Sequence, residues 1–527
     1  MKNTELKLIR NCGFSWFCSE TVSFKGYIFE KDEMISGERA CVYINELISR
    51  SKDLASDLKK INGIFSFISQ CGSNTVVCCD RTRTFPLFYR EHDGSFLISD
   101  DPSEVKAAGQ KIIENSLTAF IHAGYVPGNS TLIEGIFQVQ AGEYLIFSSE
   151  GLHRDFYHCF SSGNFKTDKT ALKKELRDIL IRAGKRLSVS LEGKTPVIPL
   201  SSGYDSRLIA VMLKMNGFDN VMTFTYGRKE NYEAELSEKT AETLGYRWTN
   251  IEYGPETVRD FIRSENFLKY YPLSSSYTSM FFLQEFFAVE KLQEMVPENS
   301  VFIPGHSGDS VAGSHIMEKM KGSFSKDDLI SFIISGHFIY KKKSDTSDES
   351  LKEIIGRTIR DKDEYSHQDY QNWIVKERHA KFIINSNRIY EFFGFEHRMP
   401  LVDSDFMDIM ENIPFGLKYG KKLYDEVLRE YFFEPYGLNF SDETNPDDNA
   451  LRVQEVKNTI KNILPKKIVD IYREKIKSKS DTYFNIGVTN EMIKDLRKNG
   501  AEPDMSGENR NSIIIQWYTH QLLNERF

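Results

Sequence analysis

No apolar run in this sequence approaches the roughly 20 residues needed to cross a bilayer. The longest candidate, Leu329 to Tyr340, is broken by serine, glycine and histidine and runs at once into Lys341, Lys342 and Lys343. The opening residues, MKNTELKLIRNCGF, carry no apolar segment behind their charges, so a secretory signal is not expected. Cysteine is scarce: the 7 residues end at Cys159, their number is odd, and no CxxC pair occurs. A disulfide framework and a zinc site are therefore not expected, and the seven read as buried free thiols. An excess of positive charge is missing too, since Lys+Arg 68 against Asp+Glu 76 leaves a net charge of -8. That balance argues against a chain built to grip nucleic acid or an anionic membrane. A soluble, cytoplasmic protein is the expectation.

Hydrophobic residues at 40% and charged ones at 27% allow large cores, and 527 residues suggest roughly two to four domains. Up to about residue 160 the chain reads as β-rich. Gly63–Ser69 and Thr75–Cys79 form one hairpin pattern, and Pro86–Tyr89 with Ser95–Ile98 a second about the turn His92-Asp93-Gly94. The run Gly142–Phe147 closes the region at the turn residues Ser148 to Gly151, and a charged helical stretch, Asp168 to Leu191, follows. Next, short strands Pro196–Leu200, Val221–Tyr226 and Arg247–Ile251 alternate with helices, one led by Leu208 and Ile209 and one over Glu233–Leu244. Such alternation predicts a doubly wound parallel sheet. From Val258 onward the sequence reads as mostly helical, with a polar surface insertion over Phe440–Asp448.

Chemistry concentrates at Leu200-Ser-Ser-Gly-Tyr-Asp-Ser-Arg207, where the first of these strands gives way to a helix. Glycine lets backbone approach a phosphate there, and amides at a helix start point toward an anion. Ser201, Ser202 and Ser206 add hydroxyl donors, and Asp205 can hold a Mg²⁺ bridging phosphate oxygens. Neither GxxxxGK[ST] nor GxGxxG occurs, which excludes the nucleoside-triphosphatase P-loop and a dinucleotide fingerprint.

LSSGYDSR resembles the SGGxDS pyrophosphate loop (PP-loop) of the N-type ATP pyrophosphatases. The chain as a whole resembles class B asparagine synthetases and their β-lactam synthetase relatives. Leu58–Phe67 and Cys79–Tyr89 are similar to L..L.G.FAF and DR.G.RPLYY of the glutaminase-type domain. Pro304–Gly313 is similar to SGEGxDExFGG, Gly394–Asp403 to GxExRxPFLD, and Leu464-Pro465 with Arg473–Lys475 to LP…R.K.

The resemblance implies an Ntn-hydrolase-like sandwich of antiparallel sheets (1–165). An α/β, doubly wound, parallel-sheet ATP pyrophosphatase domain with a large helical C-terminal part (166–527) follows. It casts Ser201, Ser202, Gly203 and Ser206 as the pyrophosphate cradle, and Leu200, Tyr226 and Gly305 as adenine contacts. Asp205 and Asp309 become the Mg²⁺ ligands, and Lys475 the cation facing the collapsing acyl-adenylate. ATP and Mg²⁺ are the implied cofactors. His306 stands where asparagine synthetases have Glu and β-lactam synthetases Tyr, and could take a proton from the attacking amine; Ser310 replaces a Glu. Each candidate has a plainer role: His306 as a hydrogen-bonded turn residue, Lys475 as part of the solvated basic run 466–479. Glu396, Arg398 and Asp403 read as one buried ion-pair network.

Glutamine-hydrolysing members use an N-terminal cysteine whose own amine is the base. Lys2 follows Met1 here, Cys12 and Cys18 would need proteolysis to become terminal, and NGEIYN has no closer counterpart than Lys25–Phe29. A glutaminase domain reduced to a scaffold is the expectation. The implied activity is an AMP-forming amide ligase acting on aspartate or a related acid, with ammonia or another amine as acceptor. A β-lactam synthetase-like cyclase, a polysaccharide-modifying amide synthetase and a catalytically silent nucleotide binder stay open. A PP-loop enzyme acting on tRNA is disfavoured by the negative net charge. The expected partners are a small-molecule carboxylate and amine, with neither nucleic acid nor membrane; a homodimer is compatible with all of this.

Overall fold

The computed structural model describes residues 4–92, 94–160, 163–229, 231–440, 481–505 and 509–524. Its N-terminal part supplies β1 (Thr4–Lys7), β2 (Phe17–Cys18), β3 (Val22–Glu30), β4 (Glu33–Ile35), β5 (Asn62–Cys71), β6 (Asn74–Cys79), β7 (Phe88–His92), β8 (Ser95–Ser99), β9 (Phe137–Gln138), β10 (Glu143–Ser148) and β11 (Gly151–Phe156). One sheet runs β11-β10-β6-β5-β3-β2 with β4 on β3, and the other β1-β8-β7-β9. Alternation along a strand decides which core each residue joins. Val76 and Cys78 pack toward the helix Gly37–Arg50, whereas Val77 and Cys79 join the layer between the sheets.

Three sequence expectations need correction here. The sandwich is not wholly antiparallel, because β1 pairs with β8 in parallel. The region does not close at Phe147: β10 turns at Ser149-Glu150 into β11, whose half-exposed residues give a weaker apolar signal. Only Cys41, Cys78 and Cys79 are buried; Cys12, Cys18, Cys71 and Cys159 lie exposed on an edge strand, a hairpin end and loops.

The C-terminal part opens with the helix Lys169–Ser190 and builds a parallel sheet from β12 (Thr195–Pro199), β13 (Met222–Gly227), β14 (Arg247–Glu252), β15 (Ser300–Phe302) and β16 (Glu396–His397), in the order β14-β13-β12-β15-β16. Both faces are covered, as a parallel sheet requires. Val197, Phe224 and Phe302 enter one core, Ile198, Val301 and Ile303 the other. The helix Tyr232–Leu244 stops at Gly245, whose φ of 73° is a left-handed cap that glycine adopts without cost. No helix among the described residues is long and apolar enough to cross a membrane.

Buried polar contacts tie the two parts together. Asn62 Nδ2 donates to Asp403 at 2.8 Å, Lys25 lies 3.4 Å from Glu391, and His158 Nε2 lies 2.7 Å from Glu411. The expected Glu396–Arg398–Asp403 network divides in two. Arg398 pairs with Glu396 at 2.7 Å, and Asp403 pairs with Arg186 at 2.9 Å on the long helix Lys169–Ser190.

Candidate active site

From β12 the chain steps outward through β13 to β14, then returns to place β15 on the other side of β12. Ligands of open α/β sheets sit beyond the carboxyl ends of the strands at such a reversal. Two loops meet there, residues 200–206 after β12 and 303–309 after β15. They touch closely: a Cβ on Gly305 would stand 2.7 Å from the Ser206 nitrogen, so only glycine fits. Between them lies a cavity of about 330 Å³, within the range of small-ligand sites. A roomier hollow of about 850 Å³ borders Lys341 and Lys343, but it brings together no comparable set of carboxylates, hydroxyls and a helix N-terminus.

The first loop holds itself open by its own hydroxyls. Ser206 Oγ accepts from the Ser201 amide at 3.1 Å and lies 3.1 Å from Ser201 Oγ, which accepts from the Gly203 amide at 3.1 Å. No side chain caps the helix Tyr204–Met215, whose N-terminal end borders the cavity and is open to an anion. Ser202, which replaces a glycine of SGGxDS, is not among the residues with positive φ, so the substitution costs no backbone strain. It does not line the cavity; its carbonyl accepts from Arg207 Nη2 at 3.1 Å. Ser201, Gly203 and Ser206 line the cavity.

Asp205 and Asp309 also line it. The Asp205 carboxylate accepts from the Asp309 amide at 2.8 Å and from Tyr424 Oη at 2.9 Å. Burial, and then the charge of Asp309, push the Asp205 carboxyl up to about 7. The hydrogen bonds from Asp309 and Tyr424 and the charge of Lys421 pull the other way without outweighing them. Two carboxylates of this kind, hard oxygen donors at the edge of an open cavity, fit Mg²⁺.

On the β13 side of the cavity, Tyr226 stacks on Tyr253 with ring centroids 5.6 Å apart and leans on Tyr483 at 5.5 Å. The backbone of Leu200 is already used, its amide donating to Phe224 and its carbonyl accepting from Thr225 Oγ1 and Ser237 Oγ. Leu200 therefore serves as wall. Gly305 and His306 complete the lining from the second loop. His306 Nδ1 lies 2.9 Å from Asn387 Oδ1; an amide oxygen only accepts, so that nitrogen carries the proton and Nε2 is left as a base. Burial lowers the His306 pKa, offset in part by Asn387 and Asp309. Ser310 is buried one residue beyond Asp309, its hydroxyl without a partner among the described residues.

Lys475 lies outside the described residues, as do Leu464, Pro465 and Arg473. Among the described residues lining the cavity, Lys421 carries the full positive charge, 3.5 Å from Asp425. Sequence reading passed over Lys421 together with Tyr424, Asn387, Glu233, Glu285 and Tyr483. The GKKLYDEVLRE helix that brings Lys421 and Tyr424 shows no local signature beyond its helical period. Glu285 sits buried with its carboxyl pushed up to about 7 and accepts from Tyr390 Oη at 2.7 Å.

No curated protein sequence matches the chain. Solved structures resemble it, among them three at low scores. The allosteric regulatory enzyme of purine biosynthesis is 12% identical, covers 45% of this chain and 62% of its own, and has a TM-score of 0.19. Glutamine phosphoribosylpyrophosphate amidotransferase from B. subtilis is 11% identical, covers 56% and 64%, and scores 0.18. NH3-dependent NAD synthetase from Campylobacter jejuni is 19% identical, covers 36% and 85%, and scores 0.19. The chain thus spans less than two thirds of the first two, and the fold rests on its own strand order. Residues 51–158 match the family model of the glutamine amidotransferase domain, and residues 192–435 that of asparagine synthase. Two successive segments of the chain are thus similar to a glutamine amidotransferase domain and to asparagine synthase, in that order.

Proposed function

We propose that the protein is an ATP-dependent, AMP-forming amide ligase that does not hydrolyse glutamine. The observation that carries this reading is the meeting of Asp205 and Asp309 at the cavity bordered by the 200–206 turn. The asparagine synthase domain supports it. A carboxylate is a poor acyl donor, since its leaving group would be oxide. One of its oxygens attacks the α-phosphorus of ATP, the bond to the bridging oxygen breaks, and pyrophosphate leaves. The 200–206 turn, with Lys421 at the rim, binds the departing diphosphate. Mg²⁺ held by Asp205 and Asp309 would offset the charge crowding of that step. The amine then adds to the acyl carbon, AMP departs, and His306 Nε2 takes the amine's proton. Lys475 belongs to this reading as the cation beside the collapsing adenylate.

Loss of glutamine hydrolysis is supported by the thiols themselves. Burial pushes up the Cys41, Cys78 and Cys79 thiols, the last to about 12, which keeps them protonated. Exposed Cys12 points its Sγ at the Phe392 carbonyl, 3.7 Å away. The reading is tested by ATP–pyrophosphate exchange against a panel of carboxylates. Exchange dependent on one acid class is expected, and its absence with every acid would favour a silent nucleotide binder.

A further inference from the structure

Four carboxylates line the cavity. Asp205 and Asp309 suit a metal, Glu233 accepts from Tyr483 Oη at 2.8 Å, and Glu285 remains. Glu285 stands directly before the helix Phe286–Leu292 and is 3% exposed. Tyr390 Oη donates to its Oε2 at 2.7 Å, and among the described residues no cation pairs with it. Other buried acids of the chain have one: Asp403 has Arg186 at 2.9 Å, Glu391 has Lys25 at 3.4 Å, and Glu143 has Arg154. Burial without such a partner holds the Glu285 carboxyl at about 7. A carboxylate kept from water in this way is costly until something positive meets it.

Its placement couples it to His306. Asn387 and Tyr390 are three residues apart, where the 3₁₀ turn Ile384–Asn387 runs into the helix Arg388–Phe392, a spacing that sets them on one side. Asn387 Oδ1 lies 2.9 Å from His306 Nδ1, and Tyr390 reaches Glu285. The Asn387 Nδ2 atom is taken up by Met399 Sδ at 2.8 Å, which fixes the orientation of the amide. One helical segment thus holds an imidazole and a carboxylate at the wall of the same cavity. Tyr226 lines it as well, its phenol pushed up by burial and then by the charge of Glu285. Aromatic rings of this kind attract cations at their faces.

We propose that Glu285 binds the amine acceptor as its ammonium ion and takes the first of the two protons that amide formation displaces. This rests on the ligase reading and adds a second base to it. An aliphatic amine is mostly protonated at neutral pH, and its nitrogen then has no lone pair to attack with. Transfer of one proton from R–NH₃⁺ to the carboxylate leaves R–NH₂ and a neutral carboxyl. The nitrogen bonds to the acyl carbon, the bond from that carbon to the AMP oxygen breaks, and His306 Nε2 takes the second proton. A carboxyl near 7 returns its proton to water between turnovers.

The test uses the full chain with ATP, Mg²⁺ and the acid that supports ATP–pyrophosphate exchange. Ammonium chloride, almost wholly protonated at neutral pH, is compared with hydroxylamine, which is mostly uncharged there. E285Q should slow amide formation from ammonium about 100-fold and hydroxamate formation less than about 10-fold, with exchange within a few-fold of wild type. E285D, which keeps a carboxylate, should lose less than E285Q with ammonium. Equal loss with the two nucleophiles overturns the proposal, as does a wild-type rate with ammonium; should E285Q fail to fold, E285D decides by the same contrast. The amino group of a nucleotide base carries N–H donors too. A raised KM for ATP in E285Q, with no contrast between the nucleophiles, would assign Glu285 to the base and overturn the proposal. Absence of exchange with every acid sinks the ligase reading instead. Calorimetric titration of the free chain with ammonium chloride then decides on Glu285: binding that E285Q loses sustains it as an ammonium site, and equal or absent binding in both proteins removes it.

Discussion

The backbone amide of Asp309 donates to Oδ2 of Asp205 across 2.8 Å, joining the loop after β15 to the helix after β12. The same carboxylate oxygens border the cavity. One contact therefore joins the two loops of the site and favours the ionised Asp205 against the burial that raises its pKa.

Neutralising either acid should remove activity without unfolding the chain. D309N keeps the backbone amide that Asp205 needs, so its melting temperature is expected within a few degrees of wild type. ATP–pyrophosphate exchange should fall about 100-fold or more. Exchange at the wild-type rate would exclude Asp309 from the chemistry.

The raised carboxyl of Asp205 sets a pH dependence. Between the ordinary carboxylate range and about 7, the folded chain holds a proton that the unfolded chain has lost. The stability contributed by Asp205 therefore falls as pH rises through that window and is level above it. D205N, which carries no such proton, should gain in melting temperature relative to wild type from pH 5 to pH 7. Adding Mg²⁺ at pH 7 should release protons from wild type and fewer from D205N, as calorimetry in two buffers of different ionisation enthalpy would read.

Gly308 has no room for a methyl group. A Cβ there would stand 2.6 Å from the Asp205 carboxylate carbon and from both its oxygens. G308A is expected to displace Asp205 and to lower exchange at least as far as D205N does. Circular dichroism would confirm an unchanged fold.

The role of His306 separates the two half-reactions. H306N should slow amide formation about 100-fold, the scale of general-base catalysis, while exchange stays within a few-fold of wild type. Equal loss in both would make His306 a positioning residue for the nucleotide.

Glutamine incubated with the pure protein should yield no glutamate above a buffer blank. Free ammonium or a primary amine should be needed for turnover, and a glutaminase rate matching amide formation would overturn this.

Much of the framework was legible because its elements are local. The runs at 196–200, 221–226 and 247–251 became β12, β13 and β14, each within a residue or so of its predicted bounds. Gly245 stopped its helix as its sequence position suggests. β15 and β16 escaped notice, being 3 and 2 residues long and thus too short for any periodicity. The turn 201–206 carries its chemistry in consecutive residues and could be read directly. Tyr424 and Asn387 reach Asp205 and His306 from 219 and 81 residues away. Each is one polar residue on an ordinary helix, and nothing in its own neighbourhood announces the partner.

The contacts that bridge the two parts have a consequence for how the gene can be cut. Asp403, Glu391 and Glu411 are buried acids of the C-terminal part that face Asn62, Lys25 and His158 of the N-terminal part. A truncated 166–527 fragment would uncover all three at once and strip each of its neighbour, a loss on the order of several kcal/mol for a buried pair broken on one side. The N-terminal part would thus contribute to the stability of the C-terminal part even if it performed no chemistry.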